Sequence, residues 1–363
     1  MPDETPQAPP ASESSAAPRP KRRPRYSGKN PRKFHEKYKE LNPDRYSGDV
    51  AKVVASGKTP AGTHRPILVE EILGVLAPKP GEVAVDCTLG FGGHAQRLLQ
   101  RIAPGGRLFG LDVDPIEQPR TETRLRAAGF GPEVFQVRHM NFAGLPKLIA
   151  RENLIDGVDV VLADLGVSSM QIDNPERGFT YKTDGPLDLR LNPLRSPSAA
   201  DLVGKLDAAK LATLFRNNSD EPRADDLAAA IVAARKTQPI IRTAQLAEII
   251  RSVFSGGHRS SARELADDTV RRVFQALRIA VNDEFGALDN LLRVLPTCLK
   301  SGGRVAILTF HSGEDRRVKQ AFQLGRDSGH YAAIAEEIIR PSAEERRDNP
   351  RSSSAKLRWA VRT

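Results

Sequence analysis

The apolar positions of this chain change rhythm along its length. From His64 onward, short strand-like runs alternate with helix-like stretches. RPILVEEILGVLA carries apolar residues at helical spacing and stops at Pro78–Gly81. EVAVDCTL (82–89) alternates and ends in glycines, as a strand does. HAQRLLQRI (helix), GRLFGLD (106–112, strand), a helix around Arg120–Ala128, EVFQVRH (strand) and the apolar run Val158–Ala163 follow. Strands alternating with helices predict right-handed crossovers and a parallel sheet. After Leu191 the strand signals stop. AAKLATLF, RADDLAAAIVAARKT, TAQLAEIIRSVF and DDTVRRVFQALRIAVNDEFGALDNLL are helical in period. SGGRVAILTFH and AKLRWAVRT then return to strands. The pattern predicts an α/β sheet domain interrupted by a helical insert after its fourth strand, with no internal repeat. The expected boundaries are 1–30 for a disordered basic tail, 31–63 for a basic extension holding short helices and ending in a linker, 64–190 and 281–363 for the two parts of the core, and 191–280 for the insert.

One segment breaks the rhythm. The run Val158–Ala163 leads into DLGVSSMQIDNPERGFTYKTDGPLDLRLN, starting at Asp164, a long polar tract rich in Asp, Arg, Ser and Gly. Loops of that length in compact domains usually carry function, and ligands of open α/β sheets sit beyond the carboxyl ends of strands. The tract therefore reads as the reacting end of a site.

Composition narrows the classes. The chain has 363 residues, 39% of them hydrophobic, enough for one large core or a core with a smaller domain. No window approaches a membrane helix, and the first twenty residues lack the apolar segment of a secretory signal. Two cysteines, Cys87 and Cys298, lie in apolar segments. That argues for a reducing compartment, the cytoplasm being the simplest, and against a disulfide framework or a structural zinc. The formal charge of +10 is uneven: residues 1–63 hold thirteen Lys and Arg against seven Asp and Glu. Most of that excess lies between Arg19 and Lys39, interleaved with Tyr26, Phe34 and Tyr38. Such an arm binds nucleic-acid backbone, or simply solubilises.

Asp86-Cys-Thr-Leu-Gly90-Phe-Gly92-Gly93-His94-Ala95 joins the first strand to a helix. Gly90, Gly92 and Gly93 permit a tight turn and close ligand approach at a helix N-terminus. Asp112, ending the next strand, is placed for a ribose diol. The letters Gly90-x-Gly92-x-x-Ala95 also satisfy a dinucleotide fingerprint. Asp86 discriminates, because a carboxylate there repels a pyrophosphate but suits a ligand bearing an ammonium and a sulfonium. S-adenosylmethionine is favoured over NAD. Asp114 reads as a solvated loop acid, and Asn141 as either a contact to a base edge or a turn cap.

In order, the chain carries THRPILVEE, DCTLGFGGHA, LDVDP, DLGVSSMQIDNPERGFTY, DGPLDLRLNP, SAADL, RTAQLAEII, RVFQALRIAVNDE, GGRVAILTFHSGEDRRVK and NPRSSSAKLR. With these motifs, from His64 to the end, it resembles the bacterial small-subunit ribosomal RNA cytosine-N4 methyltransferases, the RsmH/MraW group. The resemblance implies a class I (Rossmann-like) methyltransferase fold, a seven-stranded sheet with an inserted helical domain, acting on 16S rRNA in the small ribosomal subunit near the decoding centre. It also implies that Gly92, Gly93, His94, Asp112, Phe142, Asp164 and Gln171 bind the donor.

Methylating a cytosine N4 needs an acceptor that localises the amine lone pair and takes a proton, plus alignment. Asp164 is the first candidate, with Ser168, Ser169 and Asp188 behind it. Arg177, Lys182 and Arg190 of the tract are candidates for RNA phosphates around a splayed base, with Arg272 and His311 beside them. Arg177 could equally pair with Glu176 or Asp173. His311-Ser-Gly-Glu314-Asp315 suggests substrate shaping rather than a metal, since no further ligands stand near it in sequence and the seven histidines form no cluster. A homodimer is left open.

The chain departs from the family pattern at Cys87, where relatives usually have Gly, and in the insert, where Ser219-Asp220-Glu221-Pro222 and Asp268-Thr269-Val270 replace more basic or differently shaped runs. The basic N-terminal arm reads as extra to the family core, so RNA contact is expected to shift partly onto it. Two other classes stay in view: a non-catalytic or retargeted ribosome-assembly RNA-binding protein, and an NAD-dependent oxidoreductase, opposed by Asp86 and the lack of a hydride-transfer arrangement.

Overall fold

The strands anticipated from the apolar pattern all form, and they order themselves around one reversed strand. A computed structural model describes residues 66–195, 197–254 and 259–363, so the expected tail, basic extension and linker (1–63) lie outside the described residues. The strands are β1 (Val83–Asp86), β2 (Arg107–Asp112), β3 (Phe135–His139), β4 (Val158–Asp164), β5 (Leu299–Thr309), β6 (Tyr331–Ile334) and β7 (Lys356–Arg362). They make a seven-stranded sheet in the order β3-β2-β1-β4-β5-β7-β6. β1 to β5 run parallel, while β7 is antiparallel to both β5 and β6. The four-residue β6 is the strand that the pattern missed, and it sits at the sheet edge.

Successive side chains of each strand point to opposite faces, so the sheet supports two cores. On β4, Val161 and Ala163 pack with Leu288, Leu291, Leu295 and Phe322 on one face. Val160 and Leu162 pack with Leu98, Leu99 and Leu357 on the other. Helices α1 (Val69–Leu76), α2 (Gly93–Ile102), α3 (Glu117–Ala127) and α4 (Leu145–Arg151) flank the first strands.

A third core belongs to the helical layer: α6 (Ala199–Lys205), α7 (Ala208–Ser219), α8 (Ala224–Thr237), α9 (Thr243–Ser252) and α10 (Arg259–Asn282) follow the short helix α5 (Ser169–Asp173). Phe215, Leu227, Ile231, Ile250, Val273 and Leu277 fill it, and Phe179, Leu187 and Leu189 reach it from the polar tract. The tract is therefore not structureless. It holds α5, a 3-10 turn at Pro175–Arg177 and buried apolar anchors, separated by polar stretches that hide them from a periodicity search. The helical segment 267–292 spans two helices. Asp283 takes a left-handed conformation (φ 49°), breaking the chain between α10 and α11 (Glu284–Cys298) and turning α11 back onto the sheet.

Candidate active site

Three adjacent strands of the sheet, β2, β1 and β4, each end in aspartate: Asp112, Asp86 and Asp164. Strand order reverses between β1 and β4, where open α/β sheets bind ligands. A cavity of about 880 Å³ opens there, lined by the Gly90–His94 turn, Asp112, Asn141, Phe142, the Asp164–Asp173 segment, Phe179–Lys182, one face of α10 and the residues after β5. Ligand sites typically span roughly 300–1,000 Å³, so this one has room for a nucleoside-sized donor and a second ring system together.

The glycine turn is shaped by its neighbours. Gly92 (φ 73°) caps α2 in a left-handed conformation, and a Cβ on Gly93 would lie 2.4 Å from the Pro66 ring. At Gly90 (φ 46°) a Cβ would meet nothing nearer than the Thr88 carbonyl at 3.7 Å, leaving bare backbone on the cavity wall for close approach. Asp112 fixes the turn, its carboxylate accepting from the Gly90 amide (2.8 Å) and the Asp114 amide (2.8 Å). Asn141 accepts from the Ala143 amide at 2.8 Å, so it does cap a turn, while it and Phe142 still face the cavity.

Asp86 corrects an expectation. It is 1% exposed and does not reach the cavity wall. Its carboxylate accepts from the Thr88 amide (3.1 Å), and the Thr88 hydroxyl accepts from the Asp164 amide (2.6 Å). Asp86 thus couples the glycine turn to β4, and burial, with Asp164 and Asp112 nearby, pushes its carboxyl up to about 6.

Asp164 keeps 29% of its side chain exposed, at the cavity, with the His94 ring beside it (Nδ1 to Oδ2, 3.5 Å). The other ring nitrogen, Nε2, lies 2.9 Å from the Ile67 carbonyl oxygen, which can only accept, so in the neutral ring Nδ1 presents its lone pair to Asp164. Burial holds His94 below its ordinary value, and hence neutral. Burial first, and then the Glu314 carboxylate, push Asp164 up to about 7.

The polar tract is pinned by a group that the sequence reading left to solvent. Asp114 is fully buried, receiving the Arg177 guanidinium (2.9 Å) and the Gln171 amide (2.7 Å) and capping α3 through the Ile116 amide (2.9 Å). Arg177, 8% exposed, also donates to the carbonyls of Arg190 and Leu191. Arg177 is therefore a brace, turned from the cavity and paired neither with Glu176 nor with Asp173 as its local alternatives supposed. Gln171 and Ser168 form a capping box on α5, each accepting the other's amide (2.8 and 3.2 Å), so the Ser168 hydroxyl has a structural job; Ser169 follows on the wall.

Asp188 and Arg190 pair with each other (2.7 Å) off the cavity wall; against the desolvation that pushes it up, the Arg190 bonds hold Asp188 below the usual range. Arg272 misses the wall as well, bonded to Glu221 (2.6 Å) and Thr269. A helix turns ~100° per residue, and the face that meets the cavity is Arg271, Phe274, Gln275, Arg278 and Asn282. The expected Arg272 lies one position off this face, where Arg271 stands instead. Lys182 and His311 do line the cavity.

Beyond β5, His311 and Glu314 gain a neighbour invisible in sequence. Glu284, at the start of α11, lies with them in a group whose ligand atoms fall within 4.8 Å of one another. The positive partner there is Arg278, which grips Glu284 with two bonds (2.8 and 2.9 Å). Burial pushes Glu314 up, but His311, Arg278 and the Phe310 amide hold it below its ordinary value, and so ionised.

A sheet of this order with one reversed strand, carrying a glycine turn and acid-ended strands at its switch point, is that of a class I, S-adenosylmethionine-dependent methyltransferase. The chain belongs to the MraW methylase family, whose profile matches residues 61–363. It is 48% identical over 343 residues to the "Ribosomal RNA small subunit methyltransferase H 1" of Agathobacter rectalis, covering 94% of this chain and 97% of that one. Identity is also 48%, over 342 residues, to the "Ribosomal RNA small subunit methyltransferase H 2" of Alkaliphilus metalliredigens, with coverages of 94% and 97%. With the "Ribosomal RNA small subunit methyltransferase H" of Symbiobacterium thermophilum it is 42% over 319 residues, covering 82% and 96%. Coverage of 94% cannot be confined to residues 61–363, so the first two alignments reach into the basic extension. The family profile starts at residue 61, so the extension is extra to the family core as expected, although these two relatives align into it. No described helix is long and apolar enough to cross a membrane.

Proposed function

We propose that the protein methylates the exocyclic N4 amine of a cytidine in small-subunit rRNA, near the decoding centre, in the cytoplasm. One observation carries the reading: a single cavity joins the donor end, Gly90–His94 with Asp112 and Phe142, to a base-sized end at Tyr181, Phe274 and His311, and Asp164 stands where the two meet. The family membership and the relatives' names support the rRNA substrate.

S-adenosylmethionine, when bound, supplies an already activated methyl group. The chain's residues do the remainder. The Asp112 carboxylate suits a ribose diol, and Phe142 offers a flat apolar surface to adenine. A target base must leave its stack to enter the cavity, where Tyr181 and Phe274, 5.4 Å apart between ring centroids, provide an aromatic wall. Lys182 and Arg271 stand exposed on the wall for the flanking phosphates.

The N4 lone pair is delocalised into the ring, so the amine needs an acceptor. Ionised Asp164 accepts a hydrogen bond from N4, concentrates the lone pair on nitrogen and takes the proton as the methyl bond forms. The lone pair of His94 Nδ1 beside it is the next acceptor. Ser169 faces the same space, and Ser168 holds α5 in register.

Nucleoside mass spectrometry of small-subunit rRNA from cells with and without the gene tests the reading. Loss of an N4-methylated cytidine, restored by the gene, is expected. An unchanged N4-methylcytidine level would overturn it.

A further inference from the structure

The segment between β6 and β7 has no part in the chemistry described so far, yet it forms one wall of the cavity. A short helix (Ala343–Asp348) leads into the 3-10 turn Pro350–Ser354, and Asn349, Arg351, Ser353 and Ser354 stand on the lining. Both ends are tied down. The Glu345 carboxylate accepts from the Leu68 amide (2.9 Å), next to the Pro66–Ile67 stretch that packs on the glycine turn, and Ala355 is buried in a sheet core.

Within this strap the Arg351 guanidinium is held by one arm. Its Nη2 donates to Asp173 at the end of α5 (2.6 Å), which tethers the fork at one end. Its Nη1 is buried and has no hydrogen-bond partner among the described residues. The other cationic side chains on the wall differ: Arg278 is gripped twice by Glu284, Arg271 pairs with Asp268 (3.0 Å), and Lys182 stands exposed. A buried donor without an acceptor is costly and rare in folded proteins, and a planar fork with a free N–H matches a carboxylate or phosphate oxygen.

We infer that Arg351 is an oxyanion-binding residue of this cavity, its fork tethered by Asp173 to receive one anionic group of a bound ligand. Two sources carry that chemistry: the carboxylate of the donor's amino-acid tail, and a phosphate beside the target nucleotide. The inference rests on the methyltransferase reading for the identity of those ligands.

The test compares wild type, Arg351→Lys and Arg351→Ala by calorimetry with S-adenosylhomocysteine and with its decarboxylated analogue, and by RNA binding to a small-subunit rRNA transcript across a salt series. Arg351→Lys keeps the charge but loses the fork, and melting curves check that both variants stay folded. If the carboxylate is the ligand, Arg351→Ala weakens S-adenosylhomocysteine binding about tenfold or more and leaves the analogue unchanged, with Arg351→Lys between. If a phosphate is the ligand, both small molecules bind as before, RNA binding weakens, and the slope of log K against log salt falls by about 0.7 for one single-strand phosphate. Unchanged binding of all three ligands overturns the inference, as does equal weakening of the two small molecules, which would mark a loosened strap. Wild-type affinity for S-adenosylhomocysteine, measured first, reports on the donor reading alone.

Discussion

Replacing Arg177 by methionine keeps most of the side-chain volume and removes the charge at the centre of the tract. Asp114 is then left fully buried with its Arg177 bond gone (2.9 Å), and the carbonyls of Arg190 and Leu191 lose donors at 3.1 and 2.9 Å. Breaking a buried ion pair from one side costs about 3–5 kcal/mol, because the remaining charge is stranded. The Gln171 amide and the Ile116 amide still reach Asp114, so the lower part of that range, about 3 kcal/mol, is expected. Urea denaturation followed by circular dichroism reads this as a lower midpoint at unchanged slope. The double variant Asp114→Asn/Arg177→Met removes both charges and should recover a substantial part of the loss, the two sites being in contact. A single-variant loss under about 1 kcal/mol, or a double variant no better than the single, would refute the claim that this pair pins the tract.

One further outcome follows from the same geometry and one from the charge along the sequence. Gly93→Ala places a Cβ 2.4 Å from the Pro66 ring. It should cost about 1–3 kcal/mol as overpacking and weaken S-adenosylhomocysteine binding as the turn shifts, both read by calorimetry. Deleting residues 1–60 should weaken RNA binding and flatten its salt dependence, since the deleted arm carries much of the +10 charge; a salt titration of rRNA-transcript binding gives the slope directly.

How far the chain discloses itself differs by level. The parallel core was legible because strands such as Val158–Asp164 are buried on both faces, so that Val160–Ala163 reads as an unbroken apolar run. β6 was not, because four edge residues, YAAI, are too short for a period to register. The helical break at Asp283 was hidden because its neighbours continue the apolar period across a left-handed residue. At the site, residues on strand ends and the glycine turn were found, since those positions follow from the fold class. Residues whose roles depend on a distant partner were missed or misassigned. Asp114 and Arg177 meet across 63 positions, Arg272 meets Glu221 across 51, and Glu284 comes to His311 only after α11 folds back. No local spacing encodes such pairs, and a charged residue read singly looks solvated.

Ionised Asp164 is the group proposed to take the proton from the target amine. That role is tested most directly by the pH dependence of kcat/KM, which reports the free enzyme's essential groups. Asp164 is raised to about 7 by burial and then by Glu314, so it is protonated at acid pH and ionised above that value. As a base it is active only when ionised, and kcat/KM should climb with pH and level off above an apparent pKa near 7. Glu314→Gln removes a like charge and should move that limb to lower pH. Asp164→Asn should abolish the limb and lower the rate by about 10²–10⁴-fold. An Asp164→Asn variant that turned over at the wild-type rate, with the same ascending limb, would contradict the account.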